Sequence, residues 1–218
     1  MKRILFFSIP LLVCLNLFAK EVLIGPGPNA QERIQEAMIL LESGDTLIIQ
    51  SGYYEFEDGL SLDVNNVTVK GEGIEDTILD FKNQQSGAQG LLVTSDRVTL
   101  KDFSILDAKG DALKVIGAKG ISMINLKTEW TGGPQSTNGA YGFYPVESED
   151  VLIDGCIAIG ASDAGIYVGQ SKNIIVRNSI AQYNVAGIEI ENSYYADVYN
   201  NLASVSYTHL RAHETNSN

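Results

Sequence analysis

The chain has 218 residues, 44% of them hydrophobic, and its 27 acidic residues outnumber 15 basic ones, for a formal net charge of −12. A chain of this length and composition can bury one sizeable core, so we expect a single-domain monomer. The acidity argues against nucleic acid as a partner. It also disfavours a polyanionic glycan, unless a local basic patch or bound calcium offsets the repulsion.

Residues 1–19 are typical of a secretory signal peptide. Lys2 and Arg3 precede the apolar run of residues 4–18, which ends at the small residue Ala19. This run is shorter than the roughly 20 apolar residues that a membrane-spanning helix needs, and no later segment is longer. We therefore expect an exported protein, secreted or periplasmic, with no transmembrane segment in its mature form.

Residues 29–43 predict a helix that would cap the fold that follows it. Asn29 is placed as the N-cap, Glu32 lies three residues later as in a capping box, and Gly44 provides a stop signal. The predicted apolar stripe of this helix consists of Ile34, Ala37, Met38 and Leu41. An amphipathic helix in this position would close the open end of a repetitive structure.

After the helix, two short strand-like phrases recur along the chain. The first begins at Leu91, Leu113, Phe143, Ile166 and Ile188, with spacings of 22, 30, 23 and 22 residues. The second begins at Val67, Val98, Ile121, Val151, Ile174 and Ala196. Both phrases alternate apolar and polar positions, which indicates at least two short strands in every repeat.

Each copy of the second phrase ends on a residue type that suits a sharp bend. These residues are Gly71, Asp102, Asn125, Gly155, Asn178 and Asn200. Gly, Asn and Asp tolerate left-handed backbone angles better than other residues do. Strands and bends repeated about every 22 residues predict a coil that winds once per repeat. Stacked coils would pair their strands in parallel, about 4.8 Å apart, around a shared apolar interior.

This pattern resembles the right-handed parallel β-helix proteins of the pectin-lyase-like group, and more specifically exported bacterial proteins with parallel β-helix repeats. The resemblance covers residues 21–204 and rests on the repeated phrases, such as "AGIYV" and "AGIEI". It implies an all-β solenoid with an N-terminal capping helix, occupying residues 20–204. It implies much less about chemistry, because one fold can host many activities.

Two repeats are longer than the others, and their extra residues predict a groove. The insertions, residues 80–90 and 130–142, both precede the first phrase, so both should emerge on the same side of the stack. The floor between them would be formed by outward-facing residues of the first phrase. These residues are Leu92, Lys114, Tyr144, Tyr167 and Glu189.

This column permits two interpretations. In a lyase-like enzyme acting on a polyuronate, Lys114 would serve as the base or neutralise the uronate, and Tyr144 or Tyr167 would donate a proton. Trp130 and Tyr141 on the insertion would then stack on sugar rings, with Glu189 also touching substrate. In the alternative, Lys114 is a solvated residue and the tyrosines form a stacking ladder that stabilises the sheet. A non-catalytic carbohydrate-binding or surface scaffold protein would fit that alternative.

Other candidate residues carry weaker signals. Arg177 lies one repeat after Asp154, which favours an ion pair between coils, with uronate binding by Arg177 as the other reading. Cys156 is expected to be an inert interior thiol. No metal site is predicted. Calcium remains open as a cofactor only through scattered carboxylates, at Asp107, Asp111, Asp163, Glu189 and Glu191.

The C-terminal residues 205–218 depart from the repeat and contain both histidines, His209 and His213. We interpret this segment as non-native sequence after a truncated repeat array, or else as a disordered native tail. A third functional reading, an accessory factor for an exported metalloenzyme, rests on analogy with other repeat proteins alone, because no metal-ligand spacing supports it.

Overall fold

A computed structural model describes residues 19–206 and the backbone of residues 208–213. Residues 1–18 of the predicted signal peptide lie outside the described residues. The described chain winds through three parallel sheets in turn, and each sheet pairs a strand with its counterpart one coil later. Strands and helices are numbered below in chain order.

Sheet 1 contains β1 (Glu21–Ile24), β2 (Thr46–Ile49), β5 (Thr68–Lys70), β8 (Thr99–Lys101), β11 (Lys119–Ile124), β14 (Glu149–Asp154), β17 (Lys172–Arg177) and β20 (Tyr194–Tyr199). Sheet 2 contains β3 (Gly52–Glu55), β6 (Thr77–Asp80), β9 (Ser104–Leu106), β12 (Lys127–Glu129), β15 (Ile157–Ile159), β18 (Ile180–Gln182) and β21 (Leu202–Ser204). Sheet 3 contains β4 (Asp58–Leu62), β7 (Ser86–Val93), β10 (Asp111–Ile116), β13 (Phe143–Val146), β16 (Ala164–Gly169), β19 (Ala186–Glu191) and β22 (Thr208–His213).

The strand register follows the repeat found in the sequence. Leu113 pairs with Leu91 on one side and with Phe143 on the other, and Ile166 pairs with Ile188. The predicted parallel solenoid is therefore confirmed. Sheet 2 was not predicted, because most of its strands are three or four residues long and show too little alternation to be recognised.

The interior of the coils is a continuous apolar column. Val98, Met123, Ile153 and Val176, which sequence register placed inside, are all 0% exposed. Phe56 and Phe81 stack across adjacent coils near the N-terminal end, with ring centroids 4.7 Å apart. Burial of this column supplies the main stabilisation, since no coil can bury its inner face alone.

The predicted bends have the expected backbone angles at five of six positions. Asp102, Asn125, Gly155, Asn178 and Asn200 all have positive φ between 47° and 65°. The exception is Gly71, whose φ is not positive. Glycine is required at this position because a side chain would collide with the neighbouring coil. A Cβ atom there would lie 2.2 Å from the carbonyl oxygen of Asp102, so no larger residue fits without a backbone shift.

The single helix among the described residues, α1 (Ala30–Leu40), packs against β1, β2, β3 and β4 in the position expected of a cap. It is shorter than the predicted 29–43. The capping box is wrong: Asn29 has a left-handed backbone, φ 53°, and makes no side-chain cap bond. Three residues of the predicted stripe, Ile34, Ala37 and Met38, are buried. Leu41 is also buried, as the extended residue after the helix.

At the C-terminal end, the backbone continues the stack beyond residue 204. Strand β22 pairs in parallel with β19, with Leu210 opposite Ile188. These six residues form a strand, whereas the sequence analysis allowed a disordered tail. Within the described part of the chain, no helix is long and apolar enough to cross a bilayer.

Candidate functional site

The outer face of sheet 3 carries the column of side chains that the repeat predicted. Lys114 pairs with Leu92 on one side and Tyr144 on the other, and Tyr167 pairs with Glu189 one coil further on. The column exists because outward positions of parallel, in-register strands must lie next to one another. The spacing of the repeat was therefore sufficient to predict that these residues are neighbours.

Three tyrosines from this face and its flank form one compact group, which we call the tyrosine cluster: Tyr141, Tyr144 and Tyr167. The Tyr141 ring centroid lies 4.6 Å from that of Tyr144 and 4.6 Å from that of Tyr167. Tyr144 and Tyr167 meet edge to face at 5.2 Å. Each ring is half-buried, so the cluster presents aromatic surface that is ordered by its neighbours yet open to solvent.

Lys114 extends over this cluster. Its Nζ atom lies 4.6 Å from the centroid of the Tyr144 ring, a cation–π contact. The lysine is half-buried, which holds its ammonium group beside the tyrosines. Lys114 therefore contacts Tyr144 at the open face of sheet 3, a position compatible with either sequence interpretation.

Carboxylates surround the tyrosine cluster. The Tyr167 hydroxyl donates to Oε2 of Glu191 at 3.0 Å, and the Asp163 carboxylate lies near enough to Tyr141 to raise the pKa of its hydroxyl. Burial, followed by the negative charge of Asp111, raises the pKa of Tyr144. The cluster is therefore an aromatic surface set in a negative electrostatic environment.

The same surroundings fix the protonation of the cluster. Burial raises the pKa of Tyr141, and the nearby Asp163 carboxylate adds to the effect. Burial and the bond to Glu191 raise the pKa of Tyr167. Tyrosines are protonated at neutral pH even at their ordinary pKa of about 10, and the raised pKa values extend the protonated range of these two further into alkaline pH.

The acid Asp111 has a different environment from an ordinary surface carboxylate. Burial raises its pKa, and the positive charge of Lys114 opposes that effect. Asp111, Asp163 and Glu191 were recognised in the sequence only as scattered calcium candidates. Their positions in the repeat could have indicated this role. Asp111 is the first residue of β10, Asp163 directly precedes β16, and these strands of sheet 3 flank the strand that carries Tyr144.

Two predicted substrate-binding residues are not available at the surface. Trp130 is 4% exposed, and its Nε1 donates to the carbonyl of Ala108 at 2.8 Å. The expectation of an exposed stacking ring is wrong, because the indole packs inward as the base of the insertion. Glu189 is 3% exposed, so it does not offer an open carboxylate on the groove floor. Glu191, two residues later, contacts the cluster instead.

Arg177 and Cys156 lie away from this face. Arg177 is in sheet 1 and pairs with Asp154, with Nη2 and Oδ2 2.7 Å apart. The bond from Arg177 lowers the pKa of Asp154, so the ion-pair interpretation of these two residues is confirmed. The Cys156 thiol is fully buried, and burial raises its pKa to about 12, as expected of an inert thiol.

Metal binding finds no support in the described residues, which contain no group of three or more His, Cys, Asp or Glu side chains able to hold an ion. Of the carboxylates near the tyrosine cluster, Glu191 accepts a hydrogen bond from the Tyr167 hydroxyl through its Oε2 atom. Any calcium bound through Glu191 would have to compete for that oxygen atom.

Fold and face together define a parallel β-solenoid with an aromatic surface on one sheet. Residues 33–217 match the family described as right handed beta helix region, and the chain belongs to this right-handed β-helix family. No curated protein matches the sequence.

Solved structures share the fold at low sequence identity. The catalytic domain of a GH87 α-1,3-glucanase, in complex with tetrasaccharides, is 13% identical with a TM-score of 0.58, over 88% of this chain and 39% of that one. A PL6 family alginate lyase is 17% identical with a TM-score of 0.54, over 88% and 28%. A pectin methylesterase in complex with a hexasaccharide is 12% identical with a TM-score of 0.50, over 89% and 67%. The chain thus spans less than half the length of the first two, and these likenesses concern the fold alone.

Proposed function

We propose that this protein is an exported, monomeric carbohydrate-binding protein that holds a neutral polysaccharide across the tyrosine cluster. The observation that carries the proposal is the cluster itself: three ordered, half-buried tyrosine rings within 4.6–5.2 Å of one another on an open sheet face. Such rings offer apolar faces to sugar rings, and their hydroxyl oxygens can accept hydrogen bonds from sugar hydroxyls. Secretion or residence in the periplasm would bring the protein to its ligand.

Charge favours a neutral ligand over a polyuronate. Asp111, Asp163 and Glu191 all act on the tyrosines, and Lys114 is the cation beside them. Each uronate added to this face would meet several negative charges at short range, where solvent screens them incompletely. A neutral sugar avoids that repulsion, and its hydroxyls can donate to the tyrosine oxygens and to the nearby carboxylates.

The relatives support polysaccharide as the ligand class. The α-1,3-glucanase and pectin methylesterase structures contain bound oligosaccharides, and the third relative is named as an alginate lyase. Because these structures are only 12–17% identical to this chain, they support the proposal through the shared fold and not through matching residues. At the level of residues, the tyrosine cluster is the feature that supports sugar binding.

A lyase-like enzyme is the second candidate, favoured by the position of Lys114. Its Nζ lies 4.6 Å from the Tyr144 ring centroid, so an amine and a protonated phenol share one face. These are the groups that proton abstraction and leaving-group protonation require. The negative surroundings weigh against this candidate, because Asp111, Asp163 and Glu191 would repel the carboxylates of a polyuronate.

Affinity electrophoresis of the purified protein tests the proposal. Gels would contain soluble α-1,3-glucan, β-1,3-glucan, xylan, alginate or pectate, with and without calcium. We expect retardation by at least one neutral polysaccharide and about tenfold weaker binding by the double variant Tyr144→Ala/Tyr167→Ala, because two stacking surfaces are lost. The matched variant Lys114→Ala should retain binding within about twofold.

Two outcomes would contradict the proposal. Equal retardation of wild type and the double tyrosine variant, with both proteins folded by circular dichroism, would remove the tyrosine cluster as the binding surface. Unsaturated product absorbance with alginate or pectate, abolished by Lys114→Ala, would establish the lyase in its place.

A further inference from the structure

A cleft of about 640 Å³ lies beside the tyrosine cluster, on the turns that lead from sheet 2 to sheet 3. The insertion of residues 130–142 forms one wall through Pro134 and its neighbours. Ala161 and Ser162 line it from the next coil, Tyr183 and Val185 from the coil after that, and Val205 and Ser206 from the turn that follows β21. Its size falls within the about 300–1,000 Å³ that is usual for small-ligand sites.

The walls of the cleft are held by hydrogen bonds. The Asn138 side chain donates to the carbonyls of Gly133 and Gly160, at 2.9 and 2.7 Å, which fastens the insertion to the coil above it. The Asn184 side chain accepts from the Ala161 amide at 2.8 Å and donates to the Ala158 carbonyl at 3.1 Å. A cleft with fixed walls loses little conformational entropy when it binds a ligand.

The lining is uncharged. Every described residue that lines the cleft is apolar, aromatic, or a neutral amide or hydroxyl, in a chain with a formal net charge of −12. Tyr183 is 43% exposed and Val185 is 40% exposed. This chemistry suits a neutral ligand with both an apolar face and hydroxyl groups, which describes a sugar ring without a carboxylate.

The cleft is continuous with the tyrosine cluster through two consecutive residues. Ser162 lines the cleft, and its amide donates to the Gly139 carbonyl at 3.0 Å. Asp163 follows it and donates its own amide to the Ala140 carbonyl at 3.1 Å, and its carboxylate lies near enough to Tyr141 to raise the pKa of that residue. A polymer lying on the cluster therefore meets the cleft one residue further around the coil.

We infer that this cleft is an extension subsite, which takes further neutral sugar units of the same chain that the tyrosine cluster binds, with Tyr183 as its stacking surface. This inference rests on the proposed function and adds to it a preference for long, uncharged oligosaccharides. The preference follows because a short oligosaccharide is held by the cluster alone, whereas a longer one gains the contacts of the cleft.

Isothermal titration calorimetry with a disaccharide and a hexasaccharide of α-1,3-glucan, β-1,3-glucan and xylan tests the inference. We expect the hexasaccharide to bind more tightly than the disaccharide, and Tyr183→Ala to weaken the hexasaccharide about tenfold while leaving the disaccharide unchanged. A second variant, Ser136→Leu, places a bulkier aliphatic side chain, which offers no aromatic face for stacking, at an exposed position of the cleft wall and should have the same selective effect.

Tyr195→Ala is the matched control. Tyr183 and Tyr195 are both exposed tyrosines with positive φ, 59° and 57°, so both substitutions change the backbone preference alike. The subsite would be overturned if the cleft variants weakened the binding of the disaccharide and the hexasaccharide equally, or if neither variant weakened the binding of the hexasaccharide. Either result would leave the proposed role of the tyrosine cluster unaffected. Absence of binding by the wild-type protein to every probe would instead reject the proposed function.

Discussion

The protonation of individual tyrosines links the stability of this protein to pH. Tyr141 and Tyr167 have raised pKa values because they are buried beside carboxylates, and a bond to Asp80 raises the pKa of Tyr53 to about 12. A group with a raised folded-state pKa stabilises the fold fully below its unfolded pKa. That contribution is lost as pH rises from the ordinary tyrosine value of about 10 through the folded value.

We therefore predict that stability falls above about pH 10 and that Tyr167→Phe makes this fall shallower. The variant removes a hydroxyl whose ionisation the native state opposes, while the ring stays in the cluster. Urea unfolding at a series of alkaline pH values measures the effect, with Tyr195→Phe, at an 81% exposed position, as control. Identical slopes for wild type and Tyr167→Phe would contradict the assignment.

Individual side chains also mark the limit of the sequence analysis. Lys114, Tyr144 and Tyr167 could be placed on one face because strand alternation fixes which side chains point outward. Trp130 and Glu189 could not be judged in the same way. Whether their side chains are exposed depends on how the insertion and neighbouring coils cover them, which periodicity does not encode.

At the scale of single elements, the insertion of residues 130–142 shows how a loop is fixed to a repetitive scaffold. Its base is the buried Trp130, and its end returns at Gly139, where a Cβ atom would lie 1.7 Å from the Gly110 carbonyl oxygen and 2.7 Å from the Trp130 ring. Such a close approach of backbone to backbone leaves room for glycine alone.

Substitution at this contact should disturb the whole insertion. We predict that Gly139→Ala lowers the free energy of unfolding by about 1–3 kcal/mol, because the added methyl group forces the loop away from the coil below. Gly132→Ala is the control, since its Cβ would meet only the end of the Gln135 side chain, at 3.2 Å, and should change stability by less than about 0.5 kcal/mol. Chemical denaturation measures both, and equal losses would refute the packing argument.

The helix illustrates a related limit. Its apolar stripe was predicted correctly, because burial follows the helical period. Its N-terminus was not, because Asn29 adopts a left-handed backbone, φ 53°, when the chain turns from β1 into the cap. A side chain in that conformation did not form the predicted bond, and tertiary geometry overrode the local capping preference.

Across the whole molecule, support for each coil comes from its two neighbours. Coils in the middle pair on both sides, whereas β20 and β21 stand at one end of their sheets. Within the described part of the chain, the side chains of Tyr194, Tyr199 and Leu202 on these two strands are 49%, 42% and 55% exposed. A solenoid of this kind should therefore open from that end before it opens in the middle.

We predict a gradient of amide hydrogen exchange along the stack. Exchange should be slowest in β10 and β13, whose inward residues Leu113 and Phe143 are 0% exposed, and fastest in β20 and β21. Hydrogen–deuterium exchange with mass spectrometry measures it peptide by peptide. Uniform protection from β10 to β21 would mean that the coils unfold as a single unit, contrary to nearest-neighbour stacking.

The sequence by itself determined the architecture and the register. Parallel pairing places each coil on the one before it, so a period of about 22 residues decides which residues share the interior and which share a face. Only the tertiary structure decided which outward residues remain open. The inward turn of Trp130, the third side chain of the tyrosine cluster and the neutral cleft beside it all arise from contacts between an insertion and several coils. Such contacts depend on loop geometry in three dimensions, and no repeat in one dimension specifies them.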